Sequence, residues 1–230
     1  MSRLVTLVLS VALLVGLVVG RPVPHRDDPM VTLQYSGYRV AVVGDSYTTG
    51  SNEGGEGNRG WATLAWQSLA RQGLPVRADV AAEGGAGYGV RGNRGSVFED
   101  LTARAVSPDD QLVVFYGSRN DQPVEPALLS IMVYGVFQSA RRTAPNARLL
   151  VIGPPWPTAD PPEAITRIRD TLRYQARLAN ATFVDPLAER WFVDEPQLIG
   201  ADGVHPTDAG HVYMADKIAP LIAAQLARRI

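Results

Sequence analysis

From about residue 38 onward, short apolar runs alternate with longer segments in which apolar residues recur at helical spacing. The short runs are rich in Val, Leu, Ile and Phe, which favours strands, while spacings of three and four residues are typical of amphipathic helices. The predicted strands are residues 39–43, 75–82, 111–116, 148–152 and 182–184, and the predicted helices are residues 61–72, 96–105, 126–143, 162–179 and 208–228. This alternation indicates an α/β fold with a parallel sheet covered on both faces.

The N-terminal segment has a different pattern. Arg3 precedes an uncharged apolar run from Leu4 to Gly20, which prolines and polar residues follow. The run has the length of a long signal-peptide core or a short membrane anchor, so the sequence predicts export and leaves cleavage open. We interpret residues 1–27 as a signal peptide or N-terminal membrane anchor, residues 28–37 as a linker and residues 38–230 as one domain. The predicted location is outside the cytoplasm, either secreted or associated with the cell envelope.

Composition narrows the classes of protein that fit. The chain has 230 residues, 46% of them hydrophobic, which suits one domain with a substantial core. Its net charge is −1 and its 22 Lys and Arg residues form no runs, which argues against a nucleic-acid partner. Because there is no cysteine, thiol nucleophiles, disulfides and Cys-based zinc or iron–sulfur sites are excluded.

Glycine and polar residues follow three of the predicted strands. Gly44-Asp45-Ser46 ends the first strand, a glycine-rich loop at residues 84–89 follows the second, and Gly117 to Asn120 follow the third. The carboxyl ends of parallel strands lie at one edge of a sheet, so we expect these groups to meet there. Ser46 is placed like a nucleophile, although a turn or helix-cap serine would look the same locally. Thr48 stands where the Gly-x-Ser-x-Gly elbow requires glycine, so the scaffold is not that of the α/β-hydrolases.

His205 is the candidate base among the three histidines. His25 falls in the linker, and His211 falls one turn inside the last predicted helix. Asp202 precedes His205 by three residues, a spacing at which a carboxylate in a tight loop accepts from the imidazole and fixes its tautomer. The alternative is a loop aspartate beside a surface histidine.

The four groups together resemble the conserved blocks of the SGNH hydrolases, also called the GDSL esterase and lipase family. The matching blocks are Gly44-Asp45-Ser46, a glycine within residues 84–89, Gly117-x-x-Asn120 and Asp202-x-x-His205-Pro206. Tyr47 departs from the Leu of the family name, and we expect it at the lip of the pocket. The resemblance implies that Ser46 is the nucleophile, His205 the general base and then acid, and Asp202 the residue that orients it. It also implies an oxyanion hole made of the backbone N–H groups of Ser46 and Gly85 and the side-chain amide of Asn120.

On this basis the sequence predicts a three-layer α/β/α sandwich with a flavodoxin-like, five-stranded parallel sheet. The predicted activity is hydrolysis of carboxylic esters, with short-chain acyl or O-acetyl groups, through an acyl-serine intermediate and without a metal or cofactor. The substrate would be a small-molecule, lipid or glycan ester. One alternative is an O-acyltransferase or deacetylase of envelope polysaccharide. A non-catalytic envelope-binding module is disfavoured, because such a protein would be expected to have lost one of the four polar site residues.

Three further features leave alternatives open. Residues 51–60 contain several glycines and no apolar residue, which predicts an unanchored, mobile surface loop that could rim the site. Arg119 either binds an anionic group of the substrate or pairs with a surface acid, and we expect the pairing. Trp156 either lines an acyl or sugar pocket or packs in the core or at the rim, and we expect packing.

Overall fold

The computed structural model describes residues 37–227. The predicted signal peptide or anchor at residues 1–27, and the linker at 28–37 except for Gly37, lie outside the described residues. Among the helices within the described range, none is long and apolar enough to cross a membrane.

Five parallel strands form one sheet in the order β2-β1-β3-β4-β5. They are β1 (Tyr38–Gly44), β2 (Val76–Ala82), β3 (Leu112–Tyr116), β4 (Arg148–Ile152) and β5 (Thr182–Val184). The chain runs from β1 to β2 on one side and then returns to place β3 on the other side. The direction of winding therefore changes between β1 and β3, and the carboxyl ends of these two strands flank the crevice where doubly wound folds bind ligands. The predicted flavodoxin-like sheet is confirmed.

The described residues form six α-helices, five of which cover the two faces of this sheet. They are α1 (Ser46–Thr49), α2 (Trp61–Arg71), α3 (Phe98–Ala105), α4 (Pro126–Thr143), α5 (Glu163–Leu178) and α6 (Asp208–Ala227). One apolar core lies between the sheet and α3, α4 and α5, and the other lies between the sheet and α2 and α6. Side chains alternate along β1, so that Val40 and Val42 enter one core while Ala41 and Val43 enter the other.

Two boundaries follow directly from local chemistry. Helix α4 begins at Pro126, whose ring suits the first helical position, and the side chain of Glu125 accepts from Ala127 N at 2.7 Å. Helix α6 begins after Thr207, whose hydroxyl accepts from Gly210 N at 3.2 Å. Val80 lies on β2, an edge strand of the sheet, and is 46% exposed.

Residues 51–60 are not the unanchored loop that their composition predicts. An isolated β-bridge joins Ser51 to Gly54, and Asp208 at the start of α6 holds the segment. Asp208 accepts from Gly55 N at 2.9 Å and pairs with Arg59 at 2.7 Å. Gly54 and Gly55 are buried against the first turn of α6. These glycines allow the backbone of the segment to pack closely against α6. The sequence prediction considered only apolar side chains as anchors and therefore missed this contact.

Candidate active site

Ser46 is the first residue of α1 and directly follows the turn that ends β1. Asp45 caps this short helix, since its Oδ1 accepts from Tyr47 N at 2.9 Å and its carbonyl accepts from Thr48 N at 2.9 Å. Ser46 is 9% exposed. Within residues 37–227 its backbone N–H donates no hydrogen bond, so this donor remains free at the carboxyl edge of the sheet.

Asp45 connects the serine turn to the third block. Its Oδ2 accepts from Ser118 N at 3.3 Å, and a Cβ atom at Gly117 would lie only 2.4 Å from this oxygen. Gly117 has a φ of +134°, which favours glycine. Burial raises the pKa of Asp45 to about 6, although hydrogen bonds from Tyr47 N and Ser118 N oppose the shift. The sequence predicted no separate role for this carboxyl group.

Asp202 and His205 form the pair that their spacing predicts. Asp202 Oδ2 lies 2.6 Å from His205 Nδ1, and Asp202 Oδ1 accepts from the backbone N–H groups of Val204 at 2.8 Å and His205 at 2.9 Å. Burial alone would raise the pKa of Asp202, but these hydrogen bonds and the adjacent imidazole outweigh burial and lower the pKa to about 2. The carboxylate is therefore ionised at neutral pH and holds the imidazole with Nδ1 as donor.

Ser46 and His205 line one cleft of about 630 Å³ together with the expected oxyanion donors Gly85 and Asn120. The structure thus brings together Ser46, Gly85, Asn120 and His205, and Asp202 lies behind His205. The backbone N–H groups of Gly84 and Gly85 donate no hydrogen bond within residues 37–227, whereas Gly87 N donates to Val90 O at 2.9 Å. Gly87 is thereby less suited as an oxyanion donor than its two predecessors.

The side chain of Asn120 is anchored to the glycine-rich loop. Its Nδ2 donates to Ala86 O at 2.9 Å and lies 3.5 Å from Asp45 Oδ2. The contact with Ala86 O is a good hydrogen bond and occupies one amide hydrogen, whereas the distance to Asp45 Oδ2 is at the limit of a hydrogen bond. The second amide hydrogen is therefore available to a stronger acceptor in the cleft.

Asp121 holds the glycine-rich loop, a role that sequence reasoning missed. Its Oδ2 accepts from Tyr88 N and Ser118 Oγ, both at 2.8 Å, and its Oδ1 accepts from Gly89 N at 2.8 Å and Val90 N at 3.0 Å. The backbone N–H groups of residues 88–90 therefore converge on a carboxylate of the chain itself. Because these partners lie 31 to 33 residues earlier in the sequence, no local pattern marks the contact.

Tyr47 is buried and does not lie at the lip of the pocket. It is 1% exposed, and its hydroxyl donates to Val204 O at 2.6 Å, directly beside His205. Arg119 Nη1 donates to the same hydroxyl at 3.2 Å and lies 3.4 Å from Val204 O. These contacts connect the serine turn, the third block and the loop that carries His205.

The expectation that Arg119 pairs with a surface acid is wrong. Within the described part of the chain it forms no ion pair with a carboxylate; its guanidinium carbon lies 4.6 Å from the ring centroid of Trp156. Trp156 is half-buried and packs against the core on the α4–α5 side of the sheet, as expected. Among residues 37–227, no cluster of three or more His, Cys, Asp or Glu side chains is arranged to hold a metal ion.

Comparison with known proteins places this site in a family. The GDSL-like Lipase/Acylhydrolase family matches residues 42–213, a range that includes every site residue described above. The chain belongs to this family. It is 61% identical, over 98% of its length and 99% of the relative's, to a protein of Mycobacterium tuberculosis (strain ATCC 25618 / H37Rv) named GDSL lipase Rv0518. The prediction of a GDSL-family enzyme that acts on ester bonds is confirmed.

Two solved structures show the same fold at low identity. The crystal structure of TesA matches with a TM-score of 0.64 at 23% identity and covers 81% of this chain and 99% of its own. A family two carbohydrate esterase from Clostridium thermocellum, solved with cellohexaose, matches with a TM-score of 0.65 at 18% identity and covers 82% of this chain and 64% of its own.

Proposed function

We propose that the protein is an exported serine esterase that hydrolyses short-chain or O-acetyl carboxylic esters through an acyl-Ser46 intermediate. The observation that carries this proposal is the Asp202–His205 pair, joined at 2.6 Å, on the cleft that Ser46 also lines. Membership of an ester-hydrolysing family agrees with it. Export rests on the apolar run at residues 4–20, with membrane association as the alternative to cleavage.

In this mechanism His205 Nδ1–H donates to Asp202, which leaves the Nε2 lone pair to accept the proton of the Ser46 hydroxyl. The serine oxygen then attacks the carbonyl carbon, and His205 passes the proton to the departing alcohol. Water repeats the sequence on the acyl-serine and releases the acid. The ionised Asp202 stabilises the imidazolium that forms in each half of the reaction.

The tetrahedral intermediate requires donors that are already in place. The free N–H groups of Ser46 and Gly85 and the remaining amide hydrogen of Asn120 supply them in the proposed mechanism. Asp45 and Asp121 act indirectly, because Asp45 holds the turn that carries Ser46 and Asp121 holds the glycine-rich loop that carries Gly85. Tyr47 also acts indirectly, because its hydroxyl holds the backbone next to His205.

The residues that line the cleft support a substrate with a small acyl group and a polar alcohol. Val204 is the one apolar residue, glycine aside, among the described residues that line the cleft, whereas long acyl chains are usually bound by apolar walls. The same polarity favours a second candidate function, removal of O-acetyl groups from a carbohydrate. Transfer of the acyl group to a sugar acceptor would use the same intermediate.

The test is hydrolysis of p-nitrophenyl esters from acetate to octanoate by wild type, Ser46→Ala and Asn120→Ala. We expect Ser46→Ala to lose activity and Asn120→Ala to lose roughly 10²–10³-fold in kcat. Asn52→Ala is the matched control, because Asn52 lines the same cleft but holds no proposed role; we expect it to remain within a few-fold of wild type. Ester hydrolysis that survives in Ser46→Ala would contradict the mechanism.

The same assay separates the substrate classes. A rate that falls steeply beyond butyrate supports the short-chain assignment, and a rate that rises towards octanoate contradicts it. Release of acetate from an acetylated polysaccharide, compared with transfer to an added sugar, distinguishes deacetylase from transferase.

A further inference from the structure

Arg119 is a nearly buried cation to which the described part of the chain offers no ion-pair partner. Its exposed fraction is 8%, yet no carboxylate within residues 37–227 forms a salt bridge with it. Burial raises the pKa of Asp45 to about 6, and Arg119 opposes that shift without contacting the carboxyl group. A charge removed from water without a counter-ion is costly, so such an arrangement is expected where a ligand completes it.

The contacts of Arg119 occupy only one of its three guanidinium nitrogens. Nη1 donates to the Tyr47 hydroxyl and approaches Val204 O. Nε and Nη2 donate to no acceptor in the described residues, and neither is among their fully enclosed polar atoms that lack a partner. Nε and Nη2 form the edge of a guanidinium that binds a planar carboxylate with two parallel hydrogen bonds.

This free edge is held rigidly beside the reacting groups. Arg119 lines the same cleft as Ser46, Asn120 and His205, so its small exposed surface opens into that cleft. The Trp156 ring, with its centroid 4.6 Å from the guanidinium carbon, and the Tyr47 hydroxyl restrict the side chain. Arg94 also lines the cleft, but its side chain is 71% exposed and lies 3.8 Å from a carboxylate oxygen of Glu83.

We propose that Arg119 forms an anion subsite in this cleft and that the preferred substrates are esters carrying a carboxylate near the scissile bond. The proposal rests on the proposed ester hydrolysis and names its substrate class. In the proposed complex, Nε and Nη2 donate to the carboxylate while Tyr47 and Val204 hold Nη1. This arrangement orients the ester carbonyl towards Ser46.

The test compares charged and neutral esters of equal size. One pair carries the charge on the acyl side, the monoethyl ester of glutaric acid against the ethyl ester of glutaramic acid. The other carries it on the alcohol side, the acetate esters of glycolic acid and of glycolamide. The quantity measured is the ratio of kcat/KM for the charged ester to that for its neutral partner, by titration of released acid with the full-length chain at neutral pH. Because the ratio for each substrate pair is compared between variants, any difference in chemical reactivity between the charged and the neutral ester cancels.

We expect the ratio to fall by about 10- to 100-fold in Arg119→Gln for at least one pair, as for loss of a charge-assisted hydrogen bond. Arg119→Lys should retain part of the preference, since it keeps the charge but loses the planar edge. Arg94→Gln is the matched control and should change the ratio by no more than about twofold, because an exposed charge is screened. Tyr47→Phe should lower both rates, because its hydroxyl holds the backbone beside His205, and should also lower the ratio in part, because the same hydroxyl holds Nη1 of Arg119.

An unchanged ratio in folded Arg119→Gln, for both pairs, would overturn the subsite. If wild type hydrolyses no ester, the proposed function fails, and calorimetric binding of monoethyl glutarate, which carries a carboxylate, against the uncharged ethyl ester of glutaramic acid then decides the subsite separately. Selective binding of monoethyl glutarate that disappears in both Arg119→Gln and Arg119→Lys, or in Arg119→Gln alone, supports the subsite. Absence of selective binding, or binding retained in Arg119→Gln, overturns it.

Discussion

Replacing Asp121 by Asn tests whether a buried carboxylate organises the oxyanion side of the cleft. Both carboxylate oxygens accept two hydrogen bonds, three of them from backbone N–H groups of the glycine-rich loop and one from Ser118 Oγ. An amide has one acceptor oxygen, so its NH₂ group must face donors at one of the two positions.

The hydrogen bonds of Asp121 determine the smallest loss of stability that its replacement by Asn can cause. The best orientation places the NH₂ group at the Oδ2 position, where the Ser118 hydroxyl can rotate and accept, but Tyr88 N then faces a donor. A lost charge-assisted bond and a buried unsatisfied N–H cost about 3 kcal/mol or more together. Burial raises the pKa of Asp121, so a neutral side chain recovers part of this cost. We expect Asp121→Asn to lower the free energy of unfolding by about 2 to 3 kcal/mol.

Glu83→Gln is the matched control. Glu83 is also a buried carboxylate next to the glycine-rich loop, but only its Oε1 accepts hydrogen bonds, from Arg94 N at 2.6 Å and Ser96 N at 3.1 Å. Its Oε2 has no hydrogen-bond partner in the described residues and only distant contacts with Arg94 and Arg104 at 3.8 Å. A glutamine can keep both good bonds, and we expect a cost of about 1 kcal/mol.

The assay is urea unfolding at pH 7 alongside kcat for a p-nitrophenyl ester. Asp121→Asn should also lower kcat more than Glu83→Gln does, because the same loop carries Gly85 and the carbonyl of Ala86 that anchors Asn120. If Glu83→Gln destabilises as much as Asp121→Asn, or if Asp121→Asn unfolds like wild type, this account of the loop is wrong.

The elements that the sequence predicted correctly are those in which burial is a local property of the residues. Strand β3 is apolar throughout and buried throughout, and the predicted bounds of β4, β5 and α4 match the structure. The meeting of Ser46 and Asn120 in one cleft was also predictable, because parallel strands bring their carboxyl ends to one edge whatever the separation along the chain. His205 lies in the loop before α6, and its place at this cleft was predicted from the family resemblance.

The missed features depend on pairs that no short pattern contains. Tyr47 and Val204 are 157 residues apart, and nothing near Tyr47 distinguishes a lip residue from a buried contact with the His205 loop. Arg119 is similar, since an arginine beside polar residues looks like a surface cation until its burial is known. The prediction for residues 51–60 is wrong for the opposite reason. Their glycines were interpreted as a sign of flexibility, but Gly54 and Gly55 pack closely against α6 because they have no side chain.

Two further predictions concern the contact between that segment and α6. Gly55→Ala should destabilise by about 3 kcal/mol or more, because φ is +78° and the new Cβ would lie 2.0 Å from His211 Nε2. Gly57→Ala, at a φ of +62° with nothing within 4 Å, should cost only about 1 kcal/mol, and equal costs in chemical denaturation would refute the packing argument. His211 itself is buried and accepts from Trp61 N at 3.2 Å, and burial lowers its pKa from 6.5 to about 4 against the opposing charge of Asp208. Between these two values the unfolded chain binds a proton that the folded chain does not, so this histidine makes stability fall as the pH falls from 6.5 to 4. The stability of wild type relative to His211→Asn should therefore decrease by about 3 kcal/mol across that window, measured by urea unfolding at each pH. A difference that stays constant with pH would mean that His211 is protonated equally in both states, and its neutral, buried role would be wrong.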